Sequence, residues 1–299
     1  MQSQMWVWRP PPGWPEPPPG WTPPPGWVPP PQWPPPPPDW RYWILVPVEP
    51  AAQPFEVRVD EPTRRSLVRE TRWVLIAFLV PAIGGAIVPL VQHAEGVTDI
   101  NRFPTFVNGE PLTNMILGIL GYLGIAAVVP ITLFLLARTG QTRSRLGLGL
   151  PSWGLDVWPG LGLAVLSFAS EFVILIPFAP LLVHATKFVN PPVIGRVPTY
   201  YVVYGIVLSA ITAITEEVTI NGYLLVRLEQ LGWQPNRALI LSLVLRSSYH
   251  IYYGIGVFLL IPFGYFVTRS FQKHRRLNRP IMAHFLYDAV LITISVLST

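Results

Sequence analysis

The chain has 299 residues, 51% of them hydrophobic and only 12% charged, with a mean hydropathy of +0.40, and so few charges cannot cover a water-soluble surface of this size. There is no cysteine, which excludes a disulfide framework, a thiol nucleophile and any thiolate metal site, so a metal would have to rest on His, Asp or Glu. The net charge of +5 comes from basic residues that flank apolar stretches instead of forming one patch, which argues against nucleic acid as a partner and for a lipid bilayer.

Eighteen of the 37 prolines lie before Asp39, and residues 1–40 read as a Pro/Trp-rich, disordered tail. Met1 leads straight into Trp and Pro, so no signal peptide is expected. Trp14, Trp21, Trp27, Trp33 and Trp40 recur every six or seven residues. On a polyproline II helix of three residues per turn, that spacing stacks Trp21, Trp27 and Trp33 on one edge and leaves Trp14 and Trp40 out of phase. Such a stripe suits either a semi-rigid spacer with its rings at the lipid headgroups or a ligand for an aromatic-groove binding partner. Residues 41–72 read as a cytoplasmic linker, with a short strand over 42–48 and an arginine-rich end at Arg64, Arg65, Arg69 and Arg72.

Residues 73–299 read as a transmembrane domain. A bilayer core of roughly 30 Å needs about 20 apolar helical residues. Seven stretches approach that length, at 73–91, 115–137, 157–183, 200–225, 238–253, 255–268 and 281–297, with Gly254 and Gly256 separating the short fifth and sixth. The expected fold is therefore all-α, a polytopic transmembrane helix bundle of seven or eight spans. Arginines before the first span, in 138–145 and in 269–279, and Arg227 and Arg237 around the loop after the fourth, all fall on one side, while Glu95, Asp99 and Glu110 against Arg102 mark the other. The positive-inside rule then makes the tail cytoplasmic, and seven spans send Thr299 outside. Lys187 and Arg196 run against this assignment. His93 and His184 read as loop residues, and His274 as part of a basic loop at the headgroups.

Ionisable residues inside spans are costly, at least about 2.5 kcal/mol each on insertion scales, and so need a partner, a cavity or a function. They are Glu171, Glu216, Glu217, Arg246, His250, His284 and Asp288. Glu216, eleven residues before Arg227, lies roughly 16 Å deep at 1.5 Å per residue. By the same rise Asp288, nine residues beyond Arg279, lies roughly 13 Å deep from the same side. His250 and His284 bracket that level. Independent structural ion pairs have no reason to share one depth. His284 and Asp288 are four apart and share a helical face, as do Arg246 and His250. Glu216 and Glu217 point about 100° apart, so one can face a cavity while the other braces a neighbour. Glu171, alone in its span, reads as a structural group hydrogen-bonded to a Ser or Thr of a neighbouring helix, and Gly222 as a close-packing position.

Three segments together resemble the CPBP family of CAAX and bacteriocin-processing membrane proteases. They are Glu216-Glu217-Val218-Thr219-Ile220-Asn221-Gly222, Arg246-Ser247-Ser248-Tyr249-His250 and His284-Phe285-Leu286-Tyr287-Asp288. The resemblance covers 200–297, the protease-like core, and implies an intramembrane endopeptidase, a (metallo)protease of CAAX prenyl protease type, acting on a membrane-presented peptide. Glu216, Glu217, His250, His284 and Asp288 would be its catalytic residues. By that resemblance Glu216 and His250 would activate a water, and His284 with Asp288 would bind a metal or stabilise the oxyanion. Glu216, His250, His284 and Asp288 could coordinate zinc, and a metal-free hydrolysis would use the same residues, so both stay open. It further implies an integral protein of a bacterial plasma membrane.

One position departs from the family. Its motif arginine is Asn221 here, and Arg246, on the next helix, is the candidate replacement cation. Asn221 is also the main support for the alternative, a non-catalytic immunity or scaffold protein of the same fold. A proton-coupled transporter would be expected to show an internal repeat, and none is evident.

Overall fold

A computed structural model describes residues 4–15, 21–24, 26–47, 61–94, 111–186 and 200–297. The chain divides into two compact units, Met1–Glu56 and Val57–Thr299. The acidic residues of the 95–110 loop, Arg102, Lys187 and Arg196 lie outside the described residues, as does most of the linker before residue 61.

The first unit departs from the expected disordered tail. Strand β1, Gln4–Trp8, pairs antiparallel with β2, Trp43–Pro47, the strand expected at 42–48. The pairing draws residues past 40 into the same unit as the prolines. Between the strands the repeat makes turns instead of a continuous polyproline helix. The backbone N–H of Trp14, Trp27, Trp33 and Trp40 each bonds the carbonyl three residues back, on Pro11, Pro24, Pro30 and Pro37. Pro12 before Gly13 suits a type II turn, whose third residue needs positive φ, and Gly13 and Gly26 adopt φ of 86° and 81°. Asp39 takes the same place in the last repeat, with φ of 67°.

The turns at Trp14, Trp27 and Trp33 swing their indoles toward a shared cluster, while Trp40 turns to Arg9. Trp14, expected out of phase, is central, with ring centroids 6.5, 6.1 and 5.0 Å from Trp8, Trp27 and Trp33. Its Nε1–H donates to the Pro34 carbonyl at 2.8 Å, and the Arg9 guanidinium covers Trp40 at 4.4 Å.

The second unit is all helical among its described residues. Helix α1 runs Glu61–Ala94, starting twelve residues before the expected span and absorbing its arginines. α2 (Pro111–Ala126) and α3 (Val128–Arg138) share one apolar stretch, broken a turn before Pro130, whose ring and missing N–H disfavour a continuous helix. A π turn, Trp153–Val157, leads into α4, Trp158–Thr186. α5 (Tyr200–Glu216) passes into a π-helical segment, Glu217–Leu224, and then α6, Leu225–Gln230. α7 (Pro235–Ser248), a 3-10 segment Ile251–Leu260, α8 (Ile261–His274) and α9 (Asn278–Leu297) complete it. Gly254, with φ of 56°, breaks the 3-10 segment where the fifth and sixth spans were expected to separate. The backbone at 93 and 184 is helical, so His93 and His184 are not loop residues.

Among the described residues four stretches are long and apolar enough to cross a membrane: Thr63–Val88, Met115–Arg138, Trp153–Pro177 and Val202–Gln230. They coincide with the first four expected spans. α7 and α8 have 14 residues each, about 21 Å, short of a bilayer core. The larger count of seven or eight spans therefore goes beyond what helix length and composition support.

α9 packs against α4, α5 and α8, and its entry is pinned on the loop side. The Leu277 N–H bonds the Leu146 carbonyl at 2.8 Å, and Arg276 makes a two-pronged contact to buried Asp156, at 2.8 and 2.7 Å. Gly222 serves packing: a Cβ there would lie 2.9 Å from Leu277 Cδ2.

Candidate active site

The π-helical segment carries the paired glutamates. Hydrogen bonds spanning five residues widen the helix, and the Leu225 N–H still reaches the Ile220 carbonyl in this manner. Every residue from Glu217 to Leu224 is buried. Such segments are rare and favour functional sites, because the extra residue per turn redirects side chains.

Glu217 is fully buried and satisfied from three directions. Its Oε2 accepts from Arg246 Nη2 at 2.8 Å and from Asn221 Nδ2 at 2.5 Å, and its Oε1 pairs with His284 Nδ1 at 2.9 Å. Glu216, on the adjoining turn, accepts from the Tyr249 hydroxyl at 2.8 Å and lies 3.5 Å from Arg246 Nη1. One guanidinium from α7 therefore joins both carboxylates. Glu217 braces α7 and α9, while Glu216, also buried, keeps a single neutral donor and a longer ionic contact.

His284 bridges two acids. Its Nδ1 meets Glu217 and its Nε2 lies 3.4 Å from Asp288 Oδ2, the contact expected from their i,i+4 spacing. Phe263 of α8 packs edge-on against the imidazole, with centroids 5.0 Å apart, and excludes water from that side. Asp288 is the more open end of the chain of contacts, its side chain 25% exposed.

His250 stands at the end of α7. The helix tightens there, so that the His250 N–H bonds the Ser247 carbonyl at 3.2 Å and leaves the Arg246 carbonyl free of a helical partner. The ring Nδ1 takes that carbonyl at 2.8 Å. A carbonyl can only accept, so Nδ1 carries the hydrogen and the neutral ring keeps its lone pair on Nε2. Among the described residues no hydrogen bond joins His250 to Glu216, Glu217, His284 or Asp288; its ring lies against Tyr249, at 4.7 Å, and Tyr253. The structure thus links Glu216, Glu217, His284 and Asp288 through contacts, and joins His250 to them through Arg246 and Tyr249.

Several participants were not among the expected site residues. Asn221 is a crosspiece, its Nδ2 on Glu217 and its Oδ1 accepting from Thr268 of α8 at 3.0 Å. Tyr249 lies within one of the three motif segments with no role expected of it, and its bond to Glu216 needs the tertiary fold. Arg227, read as a flanking charge, is fully buried, bonding Glu70 of α1, Thr139, Gln230 and the Leu135 carbonyl. It ties α1 and α3 to the helix that carries the glutamates. Glu171 accepts from the Tyr287 hydroxyl of α9 at 2.5 Å, an interhelical bond whose donor is a tyrosine and not the expected Ser or Thr.

The donor set bears on metal binding. No group of three or more His, Asp or Glu side chains among the described residues is arranged to hold a metal ion. The carboxylate atoms of Glu217 are all engaged by Arg246, Asn221 and His284, and a guanidinium between the two glutamates would repel a cation. In this arrangement the residues do not fit a zinc site.

Residues 198–290 match the family model described as Type II CAAX prenyl endopeptidase Rce1-like, and all five expected site residues fall within that match. The match agrees with the resemblance to CPBP and CAAX proteases. Neither a curated protein nor a solved structure matches the chain.

Proposed function

From a Rce1-like segment within an integral membrane protein, we propose that this chain is an intramembrane endopeptidase that hydrolyses a peptide bond of a membrane-presented substrate through a water activated by Glu216 and His250. The observation that carries the reading is the continuous run of contacts from Glu216 through Arg246, Glu217 and His284 to Asp288. A purely structural network would be expected to satisfy each member equally. Here both ends of the run are less engaged than its centre.

In this reading Glu216 removes a proton from water, with Nε2 of His250 accepting a hydrogen bond from the same water. The water oxygen attacks the peptide carbonyl carbon, and negative charge develops on the carbonyl oxygen. His284 faces that oxygen through Nε2, where the Asp288 contact is long enough to be shared, while Glu217 holds Nδ1 and so sets the ring plane. The C–N bond breaks and the amine departs with the proton held by Glu216. No step passes through a metal. The substrate would reach the site from the arginine-rich, cytoplasmic side of a bacterial plasma membrane.

The non-catalytic alternative drew its support from Asn221, and the presence of Arg246 beside both glutamates weakens that support. The test is cleavage of a library of prenylated and leader-type peptides by the full chain purified in detergent. Glu216→Ala and His250→Ala are expected to lose cleavage while keeping helical circular dichroism. Equal cleavage by wild type and both variants would refute the protease.

A further inference from the structure

We infer that Arg246 is the positioning residue of this site: with Asn221 it divides the task of one arginine, Asn221 tying the helix turn and Arg246 supplying the charge from α7. The inference rests on the proposed protease for its catalytic readout and on geometry for the rest.

Position 221, four residues after Glu217, is where a local cation would reach that carboxylate. It holds a neutral amide, fully buried, that contributes one hydrogen bond to Glu217 and one acceptor to Thr268. A buried carboxylate with only a neutral donor would carry a large desolvation cost. Arg246, at 2.8 Å from Glu217, offsets that cost together with His284 at 2.9 Å, and of the two it alone also reaches Glu216, at 3.5 Å. The backbone of the same residue holds His250 through its carbonyl. One residue therefore sets the charge balance of the glutamate pair and the hydrogen position of the histidine.

Two packing features fit the guanidinium to this place. Gly264 of α8 lets α7 pack closely beside Arg246: a Cβ there would stand 2.8 Å from Leu243 Cδ2 and 3.4 Å from Arg246 Cδ. Arg246 Nε is buried and has no hydrogen-bond partner, so the side chain is held by its two terminal nitrogens on the carboxylates and not by a full set of local acceptors. The geometry favours orientation of the acids over independent stability of the arginine.

The test compares variants of the full chain in detergent. On the prenylated and leader-type peptide library, Arg246→Met is expected to lower kcat about a hundredfold with little change in KM, and Arg246→Lys to retain most of it. Asn221→Arg added to Arg246→Ala is expected to restore at least tenfold over Arg246→Ala alone. Equal activity of the Lys and Met variants would overturn the inference. A second measurement needs no substrate and so separates this idea from the protease reading. In thermal unfolding, Arg246→Met is expected to destabilise, and Glu217→Gln placed on top to return part of the loss by removing the unpaired buried charge. Strictly additive losses would overturn it, whatever the chain cleaves.

Discussion

The unit Met1–Glu56 and the segment 200–297 both order their side chains at close quarters, by opposite means. In the first, prolines restrict φ before folding begins, and turns at Trp14, Trp27 and Trp33 deliver their indoles to a shared cluster that the pairing of β1 with β2 closes. Its turns are local and its core is aromatic. In the second, partners come from far apart in sequence: Glu217 meets Arg246 and His284, 29 and 67 residues away. That order is charged and non-local, and it exists only when α5, α7, α8 and α9 are packed. A cluster of interchangeable rings tolerates reorganisation, whereas a buried carboxylate that loses Arg246 is left with His284 alone as a charge-bearing partner.

The contrast can be broken at graded cost. The largest effect is expected in the core, where Glu216→Gln keeps size and hydrogen bonding but removes the base, lowering kcat by about 10²–10⁴-fold in the peptide assay. Next, Trp14→Ala is expected to cost the first unit about 3–5 kcal/mol, enough to undo so small an apolar cluster. Near-ultraviolet circular dichroism should lose its tryptophan signal while far-ultraviolet helix content stays. Retention of that signal would mean that the ring cluster does not hold the unit. Smaller again, Asn221→Ala removes a donor from Glu217 and an acceptor from Thr268, at about 1–3 kcal/mol, read as a lowered melting temperature of the helical unit. The smallest is Gly26→Ala, about 1 kcal/mol for an L-residue forced to positive φ, visible as a modest loss of the aromatic signal alone.

How much could be read beforehand differs between the regions in the same physical terms. Helical period made the His284 and Asp288 contact legible, since two residues four apart on one helix need no tertiary information to meet. The first four spans were legible because length and hydropathy alone define them. Proline-rich composition argues for disorder in residues 1–40, whereas the tryptophans at the turns supply apolar surface that composition alone does not weigh. α7 and α8 were read as short spans, and their 14 residues each leave their relation to the bilayer to tertiary packing. The π-helical form of Glu217–Leu224 left no mark in the residues themselves, because it depends on neighbours that accept a widened turn.

By itself the sequence determined which residues are too polar for an apolar helix and which of them share a helical face, because hydropathy and helical period are local properties. Only the tertiary structure decided who answers whom: that Arg246 serves both glutamates, that Asn221 is a crosspiece, and that the Arg246 carbonyl orients His250. Pairing between helices is a choice among several buried partners, and packing geometry, not spacing along the chain, makes that choice.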